Sequence, residues 1–395
     1  MVTKAYRYDV SFRYNFDGID FISGFENINY LGIDYDYENR NMPILIMYAS
    51  LDKNIIDDMI KNQGKKHIVL TIQKYVVTDK IPVKQNYIHD EFTYFINSDR
   101  INKNEVEDYK NKENKNRKDL VKPIRIGLIS ERLINNNKIT TNEVARNTTL
   151  MDLVCYHLSH MKLLIEPMNN EIIEEFVIPP IQSISKLLDY INKYYTFYNT
   201  GYRLFYDFDK TYLLNAAGNI YVKALGERYS KIQINISESI NKTFLKQGMD
   251  IDDNSNMIQI DIPIKETSIT EDKVTDKSYD KILAITPDGK HKTVKLTPNA
   301  SDNNKKKTKI IKLQTSNLDG INAYRTMIES NSIMINCAKD NIDTSVFTMN
   351  KLYTIKIDGK FKDKSGSYKL VKKTEAYCMT NDQFNLVIGF LFKKV

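Results

Sequence analysis

Apolar residues recur along this chain at two spacings, and the spacing changes by region. From Tyr6 to Tyr14 they alternate with polar residues, the two-residue period of a half-buried strand. Ile44–Tyr48 is a short apolar run and His67–Val76 is rich in β-branched residues, so both predict strands. Tyr87–Asn97 predicts another, and Pro123–Leu133 restores strand character. Between them Asn102–Lys118 is a run of Asn, Lys and Glu with too little apolar content to be buried, and it predicts a mobile loop. One helix interrupts the strands: Ile55, Ile56, Met59 and Ile60 share a face within Asp52–Asn62, and Gly64 stops it. Residues 1–140 therefore read as mainly β.

Helical spacing dominates residues 141–235. Leu150, Val154, Leu158 and Met161 fall on one side of a helix with Asn147 as its N-cap. A strand pair is expected around Pro167. Ile181, Ile184, Leu187, Leu188, Ile191 and Tyr195 recur at three and four residues, which predicts a second helix with Pro180 in its first turn, where a missing N–H costs nothing. Gly201 punctuates, and an alternating strand Arg203–Leu214 follows. Leu204, Tyr206 and Phe208 lie on one of its faces, Phe205, Asp207 and Asp209 on the other. Tyr221–Val222 and Lys231–Ile236 read as two more strands.

Residues 236–395 are again β. Met257–Pro263 and Lys281–Ile285 alternate, and Asp288-Gly289 and Asp358-Gly359 read as hairpin turns. Gly366 closes a turn before Tyr368–Lys372, and Phe384–Phe392 is the final strand. A short helix is expected over Asn317–Ser330 from Ile321, Tyr324, Met327 and Ile328. No fixed-period repeat accompanies this order.

A chain of 395 residues with 42% hydrophobic and 27% charged residues has the composition of a globular protein large enough for two or three domains. It has 26 Tyr and 16 Phe but no Trp, with an excess of Lys, Asn and Ile, the bias of an AT-rich coding sequence. The net charge of +7 rests on 57 basic and 50 acidic residues, mostly interspersed rather than concentrated against a phosphate backbone. Lys305-Lys306-Lys307-Thr308-Lys309 is the strongest basic run. It reads as a solvated loop, since no aromatic residue is interleaved to stack on bases. Cys155, Cys337 and Cys378 are odd in number and far apart, so they fit reduced thiols of a protein assembled in a cytoplasm. The N-terminus lacks the apolar core of a signal peptide, and Leu386–Phe392 is too short to cross a bilayer.

Candidate chemistry is sparse. Cys155, His157 and His160 lie within six residues, but 155 and 157 would point to different sides of a helix and no second ligand pair has zinc spacing. Asp250, Asp252, Asn254 and Asn256 imitate the alternating oxygens of a calcium loop. Ser255 stands where the sharp turn wants Gly, however, and Asp261 where Glu is wanted. Gly64-Lys65-Lys66 lacks the upstream Gly and the following Ser or Thr of a phosphate loop. Five His leave few groups for acid–base work near neutral pH, and Asp207 with Asp209, on one strand face, reads as a pair solvated or bonded to turns. The expectation is no catalytic residue, no cofactor site and no metal site.

Several stretches resemble one family. Met42-Pro-Ile-Leu-Ile with Ser50-Leu-Asp-Lys-Asn-Ile-Ile-Asp-Asp-Met-Ile looks like the opening of phage tail hub proteins from low-GC hosts. Asn147-Thr-Thr-Leu-Met-Asp-Leu, Ile178-Pro-Pro-Ile, Leu187-Leu-Asp-Tyr-Ile and Gly201-Tyr-Arg-Leu-Phe-Tyr-Asp-Phe-Asp are similar to its middle. Gly366-Ser-Tyr-Lys-Leu-Val-Lys-Lys-Thr-Glu resembles its end, whereas residues 237–320 resemble nothing placed. The resemblance implies an α+β, mostly β chain: two β-barrels like the tail-tube subunit, over 1–140 with loop 102–118 and over 236–395 with loop 299–309, flanking an α/β domain over 141–235.

It also implies a homotrimer whose six barrels make a ring at the tail or baseplate hub, in contact with the tail-tube protein, tip or spike proteins and the tape-measure protein. DNA would only pass through the channel, and no membrane is involved. The implied place is the virion tail, assembled in the host bacterial cytoplasm, with no peptidase or lysozyme module after the last strand. Two rival readings come from other classes. A nucleic-acid-binding protein would use the aromatics and the run at 305–309. A cell-wall hydrolase would need paired carboxylates or a metal site.

Overall fold

A computed structural model describes residues 5–24, 26–77, 83–96, 121–158, 162–168, 170, 172–198, 201–216, 231–237, 248–252, 257–263, 267–272, 281–286, 288–295, 308–312, 332–338 and 342–394. The loop expected at 102–118, residues 299–307 of the loop expected at 299–309, the helix expected over Asn317–Ser330, the strand expected at Tyr221–Val222, and His160 lie outside them. The chain is α+β and mostly β.

The first part carries β1 (Ala5–Phe16), β2 (Ile19–Ser23), β3 (Ile28–Asp36), β4 (Ile44–Asp52), α1 (Lys53–Lys61), β5 (Ile68–Val77), β6 (Val83–Ile96) and β7 (Val121–Ser130). The middle carries α2 (Glu131–Asn137), β8 (Lys138–Thr149), α3 (Leu150–Leu158), β9 (Leu163–Ile165), β10 (Ile172–Ser183), α4 (Ile184–Tyr195), β11 (Tyr202–Tyr206) and β12 (Thr211–Asn215). The last part begins with β13 (Lys231–Ser237), β14 (Gly248–Asp252), β15 (Met257–Pro263), β16 (Thr267–Asp272), β17 (Lys281–Ile285), β18 (His291–Lys295) and β19 (Thr308–Lys312). It ends with β20 (Ser332–Ala338), β21 (Leu352–Ile357), β22 (Gly366–Thr380) and β23 (Gln383–Lys394).

The main sheet is organised by its last hairpin. β22 and β23 pair along their whole length through a two-residue turn, Asn381-Asp382, whose φ values of 50° and 59° are both left-handed. Positive φ at both central residues matches the twist of the flanking strands, and Asn and Asp tolerate it because their short side chains bond locally. A bulge between Leu370 and Lys372 divides β22. Before it, Gly366 to Lys369 pair with β21; after it, Lys372 to Cys378 pair with β3. The extra residue also changes which parity faces inward. Tyr368 and Leu370 are buried on one side of the bulge, Lys373, Glu375 and Tyr377 on the other.

From the C-terminal half of β22 the pairing runs through β3, β4, β7, β6, β5 and β1 and returns to β23 at Tyr8–Phe384, a closed circuit of eight strands. Alternation fills it. Tyr6, Tyr8, Val10, Phe12 and Tyr14 of β1 face in, as do Leu45, Met47, Ala49 and Leu51 of β4 and Ile68, Leu70 and Ile72 of β5. From the other half of the hairpin a second path runs β14–β15–β13–β21–β22–β23–β20–β16. β15 and β16 stand near opposite ends of this path, yet Pro263 and Thr267 are joined by a connection that spans at most about 14 Å. The path must therefore curl back on itself. β17, β18 and β19 form a separate three-stranded sheet.

The middle part packs as a ribbon, β8 with β10, under α3 and α4, and as a short sheet β11–β12–β9. Three local expectations change here. Pro179 and Pro180 lie in β10, not in the first turn of a helix. Proline cannot donate to the ladder, so the register shifts between Ile178 and Ile181, and Ser183 caps α4 by accepting from the Lys186 amide. α3 is likewise capped by Thr149, which accepts from the Asp152 amide, while Asn147 sits in β8 at φ 48°. The expected strand Arg203–Leu214 is a hairpin: β11 and β12 pair, and the turn falls at Asp207–Lys210.

That hairpin explains the attachment of the middle part. Phe205, Tyr212 and Leu214 enter the core of the main sheet, whereas Leu204, Tyr206 and Leu213 enter the core under the helices. Both faces are buried because each faces a different core. The final turn is open to test. Replacing Asn381 and Asp382 together by Val places β-branched residues in the left-handed region and is expected to cost about 2 kcal/mol, read as a lowered urea midpoint with an unchanged m-value.

Candidate functional site

The most unusual chemistry is a buried charged layer on the shared hairpin. Once the bulge has reset the parity of β22, Lys373 and Glu375 point into the closed circuit, 3% and 0% exposed, with Nζ and Oε1 3.1 Å apart. The Tyr87 and Tyr377 hydroxyls donate to Glu375 at 2.9 Å each, and Lys373 Nζ lies 4.1 Å over the Tyr35 ring. Burial, with the Glu375 charge beside them, holds the phenols of Tyr35, Tyr87 and Tyr377 well above their usual range. Lys74 of β5 bonds Asp343 at 2.6 Å and lies 4.8 Å from the Tyr6 ring. Asp343 precedes the 3-10 turn Thr344–Val346 between β20 and β21, so this pair ties the closed circuit to the second path. Burial works to raise the Asp343 carboxyl, but Lys74 outweighs it and the net shift is downward.

Asp207, at the tip of the bridging hairpin, faces this layer. It accepts from the Phe208 amide, and burial raises it to about 6 against the pull of Lys373, with Asp209 adding to the rise. Asp207 and Asp209 belong to a turn rather than to one strand face. A second polar group sits where β11, β9 and the hairpin meet. Glu166 accepts from the Asn215 amide at 2.8 Å, and Lys369 approaches the Ala216 carbonyl. Burial lowers Lys369 to about 8, Arg203 adding to the fall, and raises Glu166. Arg203 Nε and Nη1 are enclosed without a hydrogen-bond partner among the described residues. Beside it a cleft of about 670 Å³ opens between the β3–β4 connection, α4 and β11, with Arg40, Asn41, Ser185 and Asp189 on its walls.

The residues singled out in the sequence are not brought together. His157 Nε2 lies 3.0 Å from Glu143 Oε1, joining α3 to β8, and burial lowers its pKa although Glu143 opposes this. Cys155 and Cys378 are free thiols among the described residues. Asp250 and Asp252 lie in β14, a strand rather than an ion-binding loop. Lys66 bonds Asp58 at 2.8 Å and the Asn15 carbonyl at 3.1 Å, securing α1. Thr308 and Lys309 of the basic run open β19 rather than a loop. Among the described residues no group of three His, Cys, Asp or Glu could hold a metal ion, and no helix is long and apolar enough to cross a membrane. Lys373 and Glu375 were missed because Lys-x-Glu alternation reads as a solvated face. Only the bulge turns it inward.

Two outcomes follow from this layer. Lys373→Met leaves Glu375 buried and unpaired and is expected to cost about 3–5 kcal/mol in chemical denaturation, whereas Lys373→Met with Glu375→Leu recovers most of that. The folded-state pKa of Asp207 lies above its unfolded value, so the folded state holds the proton more tightly and stability falls as pH rises through about 6. Asp207→Asn is expected to stabilise the chain by about 1–2 kcal/mol at alkaline pH and by almost nothing under acid conditions, measured as melting temperature against pH.

No curated protein matches the chain. Among solved structures it is similar to the tail protein from Neisseria meningitidis MC58, at 10% identity and a TM-score of 0.48 over 99% of this chain and 97% of that one. It is similar to the prophage MuSo2 43 kDa tail protein from Shewanella oneidensis, at 11% identity and a TM-score of 0.48 over 97% of each chain. A chain of the Francisella PdpA–VgrG complex aligns at 10% identity and a TM-score of 0.49, covering 98% of this chain and 58% of that one. The family described as Bacteriophage PBS1 gene 109 protein matches residues 2–395, nearly the whole sequence, and the chain belongs to that family.

Proposed function

We propose that this chain is a structural component of a phage tail, the hub that joins the tail tube to the tip complex and acts through shape and interfaces rather than catalysis. One observation carries the reading. Eight strands close a circuit, a second set of eight curls towards closure, and the two sets share the β22–β23 hairpin. Two barrel-like lobes in one chain are what a three-copy ring needs to present six similar units to a six-fold tube. Membership of a phage family and the resemblance of the opening, middle and closing segments to tail hubs support the same role.

On this reading the N-terminal lobe over 1–140 and the C-terminal lobe over 236–395 are the two tube-like barrels, joined through the hairpin they share. The α/β part over 141–235 stands against them by its bridging hairpin. The partners are two further copies, the tail-tube protein, tip or spike proteins and the tape-measure protein, met during assembly in the host cytoplasm. The buried ion pairs act as register pins, which suits a part that must hold its shape under load.

Light scattering on the purified chain is expected to give three times the chain mass, and electron microscopy a three-fold ring with pseudo-six-fold density. A monomer at every concentration, alone and with the tail-tube protein, would remove the hub role.

A further inference from the structure

Charge along the chain is segregated in one place. Residues 281–312 contain nine Lys and two Asp, an excess of seven that equals the net charge of the whole chain, so the remaining residues balance. The 33 residues before them, 248–280, contain nine acidic and three basic residues. The basic stretch supplies β18, β17 and β19, a three-stranded sheet whose outer strands pair only with β17 among the described residues. Lys281, Lys290, His291 and Lys292 are exposed, and Ile310 is 60% exposed. Lys281 stands directly opposite Lys295 in the register, a like-charged pair that weakens the sheet rather than stabilising it.

The acidic stretch supplies β14 and β15 at one end of the main sheet. Register places Asp250 and Asp252 on the same face as Gln259 and Asp261, opposite the face that carries Ile258, Ile260 and Ile262 into the core. Asn235 of β13 bonds Asp261 at 2.6 Å on this outer face.

We propose that the basic sheet of one copy docks on the acidic outer face of β14–β15 in a second copy, a head-to-tail contact that closes a ring when repeated. It deepens the hub reading and rests on its self-assembly. Two different surfaces of one chain with opposite charge form a heterologous interface, and such interfaces generate rings when the rotation closes. Complementary charge steers the encounter and rejects like-charged partners. Nucleic acid is the poorer occupant. Residues 281–312 hold no Arg and no aromatic residue, so neither the planar fork for phosphates nor a platform for bases is present.

A charge-swap tests it. One variant carries Lys281→Glu, Lys290→Glu and Lys292→Glu; the other carries Asp250→Lys, Asp252→Lys and Asp261→Lys. Lys281, Lys290 and Lys292 are exposed, the aspartates share one register face of β14–β15, and circular dichroism with a melting curve checks folding. Each variant is expected to be monomeric by light scattering, and a chain carrying both sets of substitutions to assemble again. Wild-type assembly is expected to weaken at least about tenfold between low and high salt, a readout that needs no variant. Variants that assemble like the wild type overturn the interface and leave the hub reading standing. Monomeric variants whose substitutions combined in one chain still leave it monomeric, or wild-type assembly indifferent to salt, also overturn it. A wild-type chain that is monomeric throughout removes both readings, and a short DNA duplex that binds the basic sheet and blocks assembly assigns that face to nucleic acid instead.

Discussion

Everything in the main sheet depends on where one residue is inserted in β22. The bulge at Val371 lets a single hairpin serve two neighbourhoods: β21 and β20 flank one end, β3 and β1 the other. It also reverses the inward parity, so that a strand beginning with Tyr368 and Leu370 in the core continues with Lys373, Glu375 and Tyr377 in the core. A slip of one residue would turn all of these to the opposite face, and the cost of leaving Glu375 without Lys373 and its two phenols makes such a slip prohibitive. Buried charge contributes little net stability in general. Its effect here is to make one register far better than the alternatives.

The same logic ties the remaining parts to the hairpin. Lys74 and Asp343, 269 positions apart in sequence, join β5 of the closed circuit to the β20–β21 connection of the second path. The β11–β12 hairpin has no solvent face, since each of its faces fills a separate core. Among the described residues the sheet outside both cores, β17 with β18 and β19, is drawn from the stretch of sequence that holds the excess positive charge.

Much of the strand content was legible. Alternation in Tyr6–Tyr14, the β-branched run at His67–Val76 and the Asp288-Gly289 turn each correspond to strands or turns, and the helix before Gly64 corresponds to α1. The failures fall where one residue can be read two ways. Pro180 suits the first turn of a helix or the edge of a strand, and the choice was made by Ser183, which caps α4 three residues later. The apolar alternation through Asp207–Lys210 looked continuous because Phe208 kept the pattern across a turn. Asn381-Asp382 offered a hairpin signal weaker than Asn-Gly, and its two left-handed residues are visible only in the backbone.

The sequence by itself determined that the chain is mostly β with helices in its middle part, and that its closing segment resembles tail hubs. Periodicity decides these, because it acts between neighbours along the chain. Only the tertiary structure decided that β23 meets β1, that Lys373 and Glu375 face inward, and that β15 and β16 stand near opposite ends of a curled path. Each of these depends on contacts between residues hundreds of positions apart, or on a one-residue bulge that no local pattern encodes.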